Sequence, residues 1–135
     1  IASYSGDTYI GPVTPTQGMV QRMIDSGALD KNIEALKALY RPRMVAMTNC
    51  LEELLPEFDF AKPEGGFFIG AQMPESVSIE ALIPRAKEAG LMLSDGRGFF
   101  ADPAKGEHFI RLPFCSLSES QIEEAIQTLQ KVIRN

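Results

Sequence analysis

Tryptophan is absent from this 135-residue sequence, histidine occurs once and cysteine only twice. His108 has no second histidine or cysteine at ligand spacing, so a zinc centre finds no support. Cys50 and Cys115 lie far apart, each in an apolar context and without a CxxC pattern; both are expected to be reduced thiols in the core. No long apolar run is present, which excludes a membrane-spanning helix as the reading of any segment. Charge of one sign is not blocked either. The 13 basic and 18 acidic residues are interspersed, leaving a formal charge of −5 and no basic stripe to bind nucleic acid. The opening residues lack the basic-then-apolar plan of a signal peptide, so a cytoplasmic setting is the default expectation. Beginning at Ile1 rather than Met, and carrying no cofactor motif, the sequence is expected to be a piece of a longer chain.

Two enzyme motifs are also missing. Ser94, Asp95 and His108 are the ingredients of a hydrolase triad, but no GxSxG elbow presents a nucleophile. Gly96-Arg97-Gly98 is not followed by a capped helix, so it reads as a tight turn and not a phosphate cradle.

What remains has clear periodicity. Residues 1–15 are rich in Ser, Thr, Gly and Pro and form an irregular lead-in, after which Thr14 as N-cap and Pro15 as first helical residue start a short helix that Gly27 ends. From an N-cap at Asp30, the apolar positions Ile33, Leu36, Tyr40, Met44, Met47, Leu51 and Leu54 recur every three or four residues, predicting one long helix, bent at Pro42 and closed by Pro56. Phe58 and Phe60 suggest a short strand, Phe67–Met73 a second, and Leu91–Leu93 a third. Ser78 caps a helix between the latter two, ending at Gly90. His108–Phe114 is another strand, and Ser118 with Gln121 forms a capping box before a last helix carrying Ile122, Ile126, Leu129 and Ile133 on one face. This order predicts one compact α+β unit, a small and mostly antiparallel sheet covered by helices.

Arg111 is the residue that chemistry singles out. Its strand neighbours Phe109, Ile110, Leu112 and Phe114 are apolar, and a guanidinium there is costly unless a carboxylate or phosphate pairs with it. A ligand carboxylate, an internal salt bridge and a solvent-facing strand position all fit. The pairs Phe67-Phe68 and Phe99-Phe100 line a pocket on one reading and place one member each in the core on the other. Met44 and Met47 read as core packing.

The succession GALDKNIEALKALYRPRMVAM, PEGGFFIG, GLMLSDGRGFF, FIRLPF and ESQIEEAIQTL resembles, over nearly the whole chain, the C-terminal part of class I/II, fold-type I aminotransferases. The subgroup it is most similar to is that of 2-aminoadipate and aromatic amino-acid aminotransferases, and the aminotransferase-like half of GntR-type transcription regulators is similar too. The resemblance implies a C-terminal small domain over residues 30–135, with residues 1–29 a lead-in and short helix from the large-domain side. It implies a parent that uses pyridoxal 5'-phosphate (PLP), acts on L-amino acids and 2-oxo acids and forms a homodimer. Matching FIRLPF to the family places the substrate α-carboxylate on Arg111. PEGGFF puts Gly65, Gly66 and Phe67 beside the substrate side chain. DGRGFF departs from the family's Pro-Gly-x-x-Phe by carrying Asp95 in place of the proline. The family's cofactor lysine follows a Ser-x-Ser-Lys-like segment, a setting that none of Lys31, Lys37, Lys62, Lys87, Lys105 and Lys131 shares. The fragment alone is therefore expected to be inactive. The alternative is an effector-binding domain of a GntR-type regulator.

Overall fold

The computed structural model describes residues 13–134, so nearly all of the expected lead-in lies outside the described residues. Contacts divide the chain into two units, residues 1–38 and 39–135.

Helix α1 spans Thr14–Asp25 and buries none of its residues. Val13 occupies the N-cap, so Thr14 is already helical, one position earlier than its side chain suggests. Pro15 sits in the first turn, where the backbone donor it lacks has no helical partner to lose. Gly27 follows with φ +68°, the left-handed conformation that stops a helix cheaply only at glycine. Helix α2 spans Ala28–Leu54 and starts directly after that glycine instead of at Asp30. Asp30 consequently does not cap; it lies in the first turn, where a carboxylate favours the positive end of the helix dipole. Pro42 is inside the helix, which continues unbroken through it.

In the second unit, β1 (Phe68–Gln72) pairs antiparallel with β2 (Phe109–Pro113), with Ile69 opposite Leu112, Gly70 opposite Arg111 and Ala71 opposite Ile110. Successive strand residues point to opposite faces. Ile69, Ala71, Ile110 and Leu112 are buried on one face, while Phe68, Gly70, Gln72 and Pro113 on the other are exposed and Phe109 and Arg111 half-buried. The buried face joins Met47 and Leu51 of α2, Ile79 and Leu82 of α3 (Ile79–Glu88), and Ile122, Ile126, Leu129 and Val132 of α4 (Glu119–Arg134) in one core. The result is the expected α+β architecture, a small antiparallel sheet with helices packed on it.

Polar contacts tie these elements at their ends. Gln130 donates to the Leu54 carbonyl at 2.6 Å and Arg134 to the same oxygen at 3.2 Å, satisfying a carbonyl that the end of α2 leaves without a helical donor. Arg43 reaches the Cys115 carbonyl at 2.6 Å. The capping box forms as predicted: Gln121 Oε1 accepts from the Ser118 N–H at 2.9 Å and Ser118 Oγ from the Gln121 N–H at 3.3 Å.

Several expectations need correction. Phe58–Phe60 is not a strand but a single bridge, Asp59 to Gln72. Leu91–Leu93 is irregular: the Leu91 N–H turns back to the Ala86 carbonyl at 2.8 Å. Ser78 holds the N-cap position of α3, yet its hydroxyl donates to Glu107 and not to its own helix. Ile133 is only half-buried and Val132 takes the core position beside it. Cys50 and Cys115 are half-buried rather than core thiols. Burial, with Glu123 and Glu53 nearby, pushes the Cys50 thiol pKa up.

The segment between α3 and β2 contains two 3-10 turns, Gly96–Phe99 and Pro103–Gly106. Gly96 is buried against β2, where an added Cβ would stand 1.9 Å from the Phe109 carbonyl oxygen. Gly96→Ala is therefore expected to destabilise the protein by about 3 kcal/mol, through backbone displacement in a packed site. Gly98→Ala, with nothing within 4 Å of the new methyl, should stay within about 0.5 kcal/mol of wild type. Urea denaturation of the two variants checks the difference.

Candidate functional site

Arg111 stands at the centre of β2, on the face turned away from the core. Its cross-strand partner is Gly70, which offers no side chain, and the ring of Phe109 fills the space above that glycine. The guanidinium carbon lies 4.2 Å from the ring centroid of Phe68 and 4.0 Å from that of Phe99. Both rings thus present their faces to the guanidinium within cation–π distance. Among the described residues no carboxylate pairs with Arg111, and its Nε is buried without a hydrogen-bond partner. The internal salt bridge that the sequence left open thus finds no partner among the described residues. Guanidinium N–H donors lie in one plane, so an arginine in this setting can accept a planar anion at its edge.

The turn beneath Phe99 is stiffened by ions. Asp95 caps it, accepting from the Arg97 N–H at 3.0 Å. The Arg97 side chain grips the same carboxylate in bidentate fashion, Nε to Oδ1 at 3.0 Å and Nη2 to Oδ2 at 2.9 Å. Arg97 also reaches Glu80 at 3.4 Å and Glu107 at 3.8 Å, joining the turn to α3 and to the approach to β2. The hydrogen bonds from the Arg97 side chain and backbone hold the Asp95 carboxyl below its ordinary pKa. Phe99 and Phe100 both meet Phe109 edge-on, at 6.4 and 5.1 Å between centroids.

Gly65 and Gly66 are in the turn before β1, Gly66 with φ +88°. Phe67 packs edge-on against Tyr40 at 5.4 Å, and its carbonyl accepts from the Phe114 N–H at 3.0 Å. Hence it is Phe68, not Phe67, that the structure brings onto Arg111. Neither member of that pair is in the core: Phe67 is 48% exposed and Phe68 41%. Phe99 is 42% exposed. The signal that pointed to Phe68 was available in the sequence as strand alternation, since Phe68 and Gly70 share a face; Phe99, from a separate turn, had none. A groove of about 480 Å³ also touches Arg111, lined by Met92, Ser94, Leu112, Leu117 and Thr128 among others, but neither Phe68 nor Phe99 borders it. The stacked guanidinium, with its unpaired donor, is the better-defined site.

No family model matches the chain. It is 33% identical over 122 residues to aromatic-amino-acid aminotransferase 1 of Thermococcus litoralis, a match covering 90% of this chain and 29% of the relative. Among solved structures, kynurenine aminotransferase of Pyrococcus horikoshii superposes with a TM-score of 0.77 at 34% identity, over 84% of this chain and 28% of that one. The chain matches the C-terminal part of fold-type I aminotransferases. LysN, the α-aminoadipate aminotransferase of Thermus thermophilus, crystallised with N-(5'-phosphopyridoxyl)-L-leucine, gives 0.72 at 27% identity over 85% of this chain and 29% of its own. Similarity extends outside the enzymes to the HTH-type transcriptional regulator TauR of Rhodobacter capsulatus, 28% identical over 121 residues, or 87% of this chain and 25% of the regulator. This chain spans about 29% of the length of the first curated aminotransferase it matches.

Where aminotransferases of this type carry a Pro-Gly turn, the present chain has Asp95-Gly96, and the aspartate supplies the cap described above. Because the Asp95 pKa is depressed in the folded chain, its contribution to the turn is fully present above the ordinary carboxylate pKa of about 3.9 and is lost as pH falls through the lower folded value. An NMR pH titration should show the Arg97 amide and side-chain resonances shifting below about pH 4. In Asp95→Asn that transition should disappear.

Proposed function

We propose that this chain supplies the substrate-carboxylate clamp of a PLP-dependent aminotransferase, with Arg111 binding the α-carboxylate of an L-amino acid or 2-oxo acid. One observation carries the reading: a half-buried guanidinium on a strand, stacked by two rings and unpaired by any carboxylate among the described residues. The likeness to aminotransferases, over nearly nine-tenths of the chain, supports the same substrate class. Gly65, Gly66 and Phe67, in the turn that leads into β1, border the ligand side chain on this reading.

Bidentate hydrogen bonding to Arg111 fixes two ligand atoms at once, which orients the amino-bearing carbon relative to the rest of the site; orientation of this kind is a substantial part of catalysis. The residues present fit a carboxylate and not the anchoring of PLP. All six lysines are exposed, Lys37 and Lys62 are in ion pairs with Glu34 and Glu52, and none lines the groove beside Arg111. PLP, which acts as an electron sink when bound, would be held by residues outside this chain. A homodimeric parent in the cytoplasm completes the proposal; among the described residues no helix is long and apolar enough to cross a membrane.

The likeness to TauR favours a second reading, in which the same fold binds an effector within a GntR-type regulator without turnover. Visible absorption of the full-length protein with PLP separates the two. For the enzyme, L-amino acids should convert the bound cofactor to its amine form, and Arg111→Ala should weaken amino-acid binding by about 30-fold or more, the cost of losing one partner of a desolvated charge pair. Binding without conversion favours the regulator, and conversion unaffected by Arg111→Ala rejects the clamp.

A further inference from the structure

We propose that Phe68 and Phe99 make the Arg111 site selective for planar carboxylates over tetrahedral oxyanions of the same charge, such as sulfonates. The inference rests on the clamp reading and adds a selectivity filter to it. The guanidinium offers donors only within its own plane, and the rings of Phe68 and Phe99 are centred 4.2 and 4.0 Å from its carbon. A carboxylate places both its oxygens in that plane and none outside it. A sulfonate can place two oxygens there, but its third must leave the plane, toward an aromatic wall. Ring faces carry the negative end of the aromatic quadrupole and donate no hydrogen bond, so this oxygen loses water and gains nothing.

Such a filter works only if the rings cannot swing aside. The backbone of Phe68 is fixed within β1, opposite Pro113. Phe99 ends a 3-10 turn that Asp95 caps, Arg97 ties to Glu80 and Glu107, and Gly96 presses onto the backbone of β2. Its ring is further braced edge-on by Phe109. Both rings nevertheless remain more than two-fifths exposed, an arrangement that core packing does not require.

The test uses full-length protein and two monoanions of matched side chain, 3-phenylpropanoate and 2-phenylethanesulfonate, titrated calorimetrically into wild type, Phe99→Leu, Phe68→Leu and Arg111→Ala. Wild type should bind the carboxylate at least about tenfold more tightly than the sulfonate, the expected effect of one unsatisfied polar atom. Because a sulfonate is the weaker acceptor in any site, the deciding quantity is how that ratio changes. Leucine in place of either ring removes one aromatic wall, and the ratio should fall to about threefold or less while carboxylate binding persists. A ratio unchanged in both leucine variants, or near one in wild type, overturns the filter and leaves the clamp standing provided Arg111→Ala abolishes carboxylate binding. Carboxylate binding that survives Arg111→Ala, or is absent from wild type, removes the clamp and the filter together. Circular dichroism confirms folding of each variant, and a wild-type ratio near one overturns the filter whether or not the variants fold.

Discussion

The two-residue period of a paired strand organises the second unit. In β2 it sends Ile110 and Leu112 into the core and holds Arg111 on the opposite face, and the register with β1 puts Ile69 and Ala71 beside the first pair and Gly70 opposite the arginine. A slip by one residue would exchange the faces, burying a guanidinium among aliphatic side chains and exposing the core. The apolar side chains of α2, α3 and α4 therefore do more than stabilise the sheet. By claiming one face of it, they leave a charged residue only the other.

Support for that residue arrives from a distant turn through a series of close contacts. Gly96 lies so near the Phe109 carbonyl that no side chain fits, and Asp95 and Arg97 fasten the same turn by a cap and a bidentate ion pair. Phe99 is carried on this turn to the guanidinium. Each exposed ion pair contributes little to stability by itself, but a glycine packed on backbone and a capped 3-10 turn leave few alternative positions for the ring. On the proposed reading, a binding group braced in this way needs little reordering when a ligand arrives.

The likeness to aminotransferases and the geometry of Arg111 are separate lines of argument. Identity near one-third and close superposition define the ancestry of the fold. The proposed carboxylate-binding role rests on electrostatics, a guanidinium without a carboxylate partner among the described residues, and Asp95 shows how this chain supports its turn without the proline usual in that family.

Much of the architecture was legible because helices and strands write their burial into local spacing. The three- and four-residue rhythm from Ile33 to Leu54, the Ser118–Gln121 box and the apolar run around Arg111 predicted α2, α4 and β2. Boundaries moved where a local competitor was stronger: Gly27 started α2 before Asp30, and Glu107 drew Ser78 from its capping role. Phe58–Phe60 and Leu91–Leu93 had the composition of strands, but pairing needs a partner edge over several residues, which composition does not specify. By itself, then, the sequence determined the elements, the core-facing residues and the anomaly of an arginine in an apolar strand. Tertiary structure alone decided that Phe68 and Phe99 flank that arginine, that no carboxylate among the described residues pairs with it and that Arg97 binds three acids, because those relations join segments far apart in the chain, and no local period encodes which of them will meet.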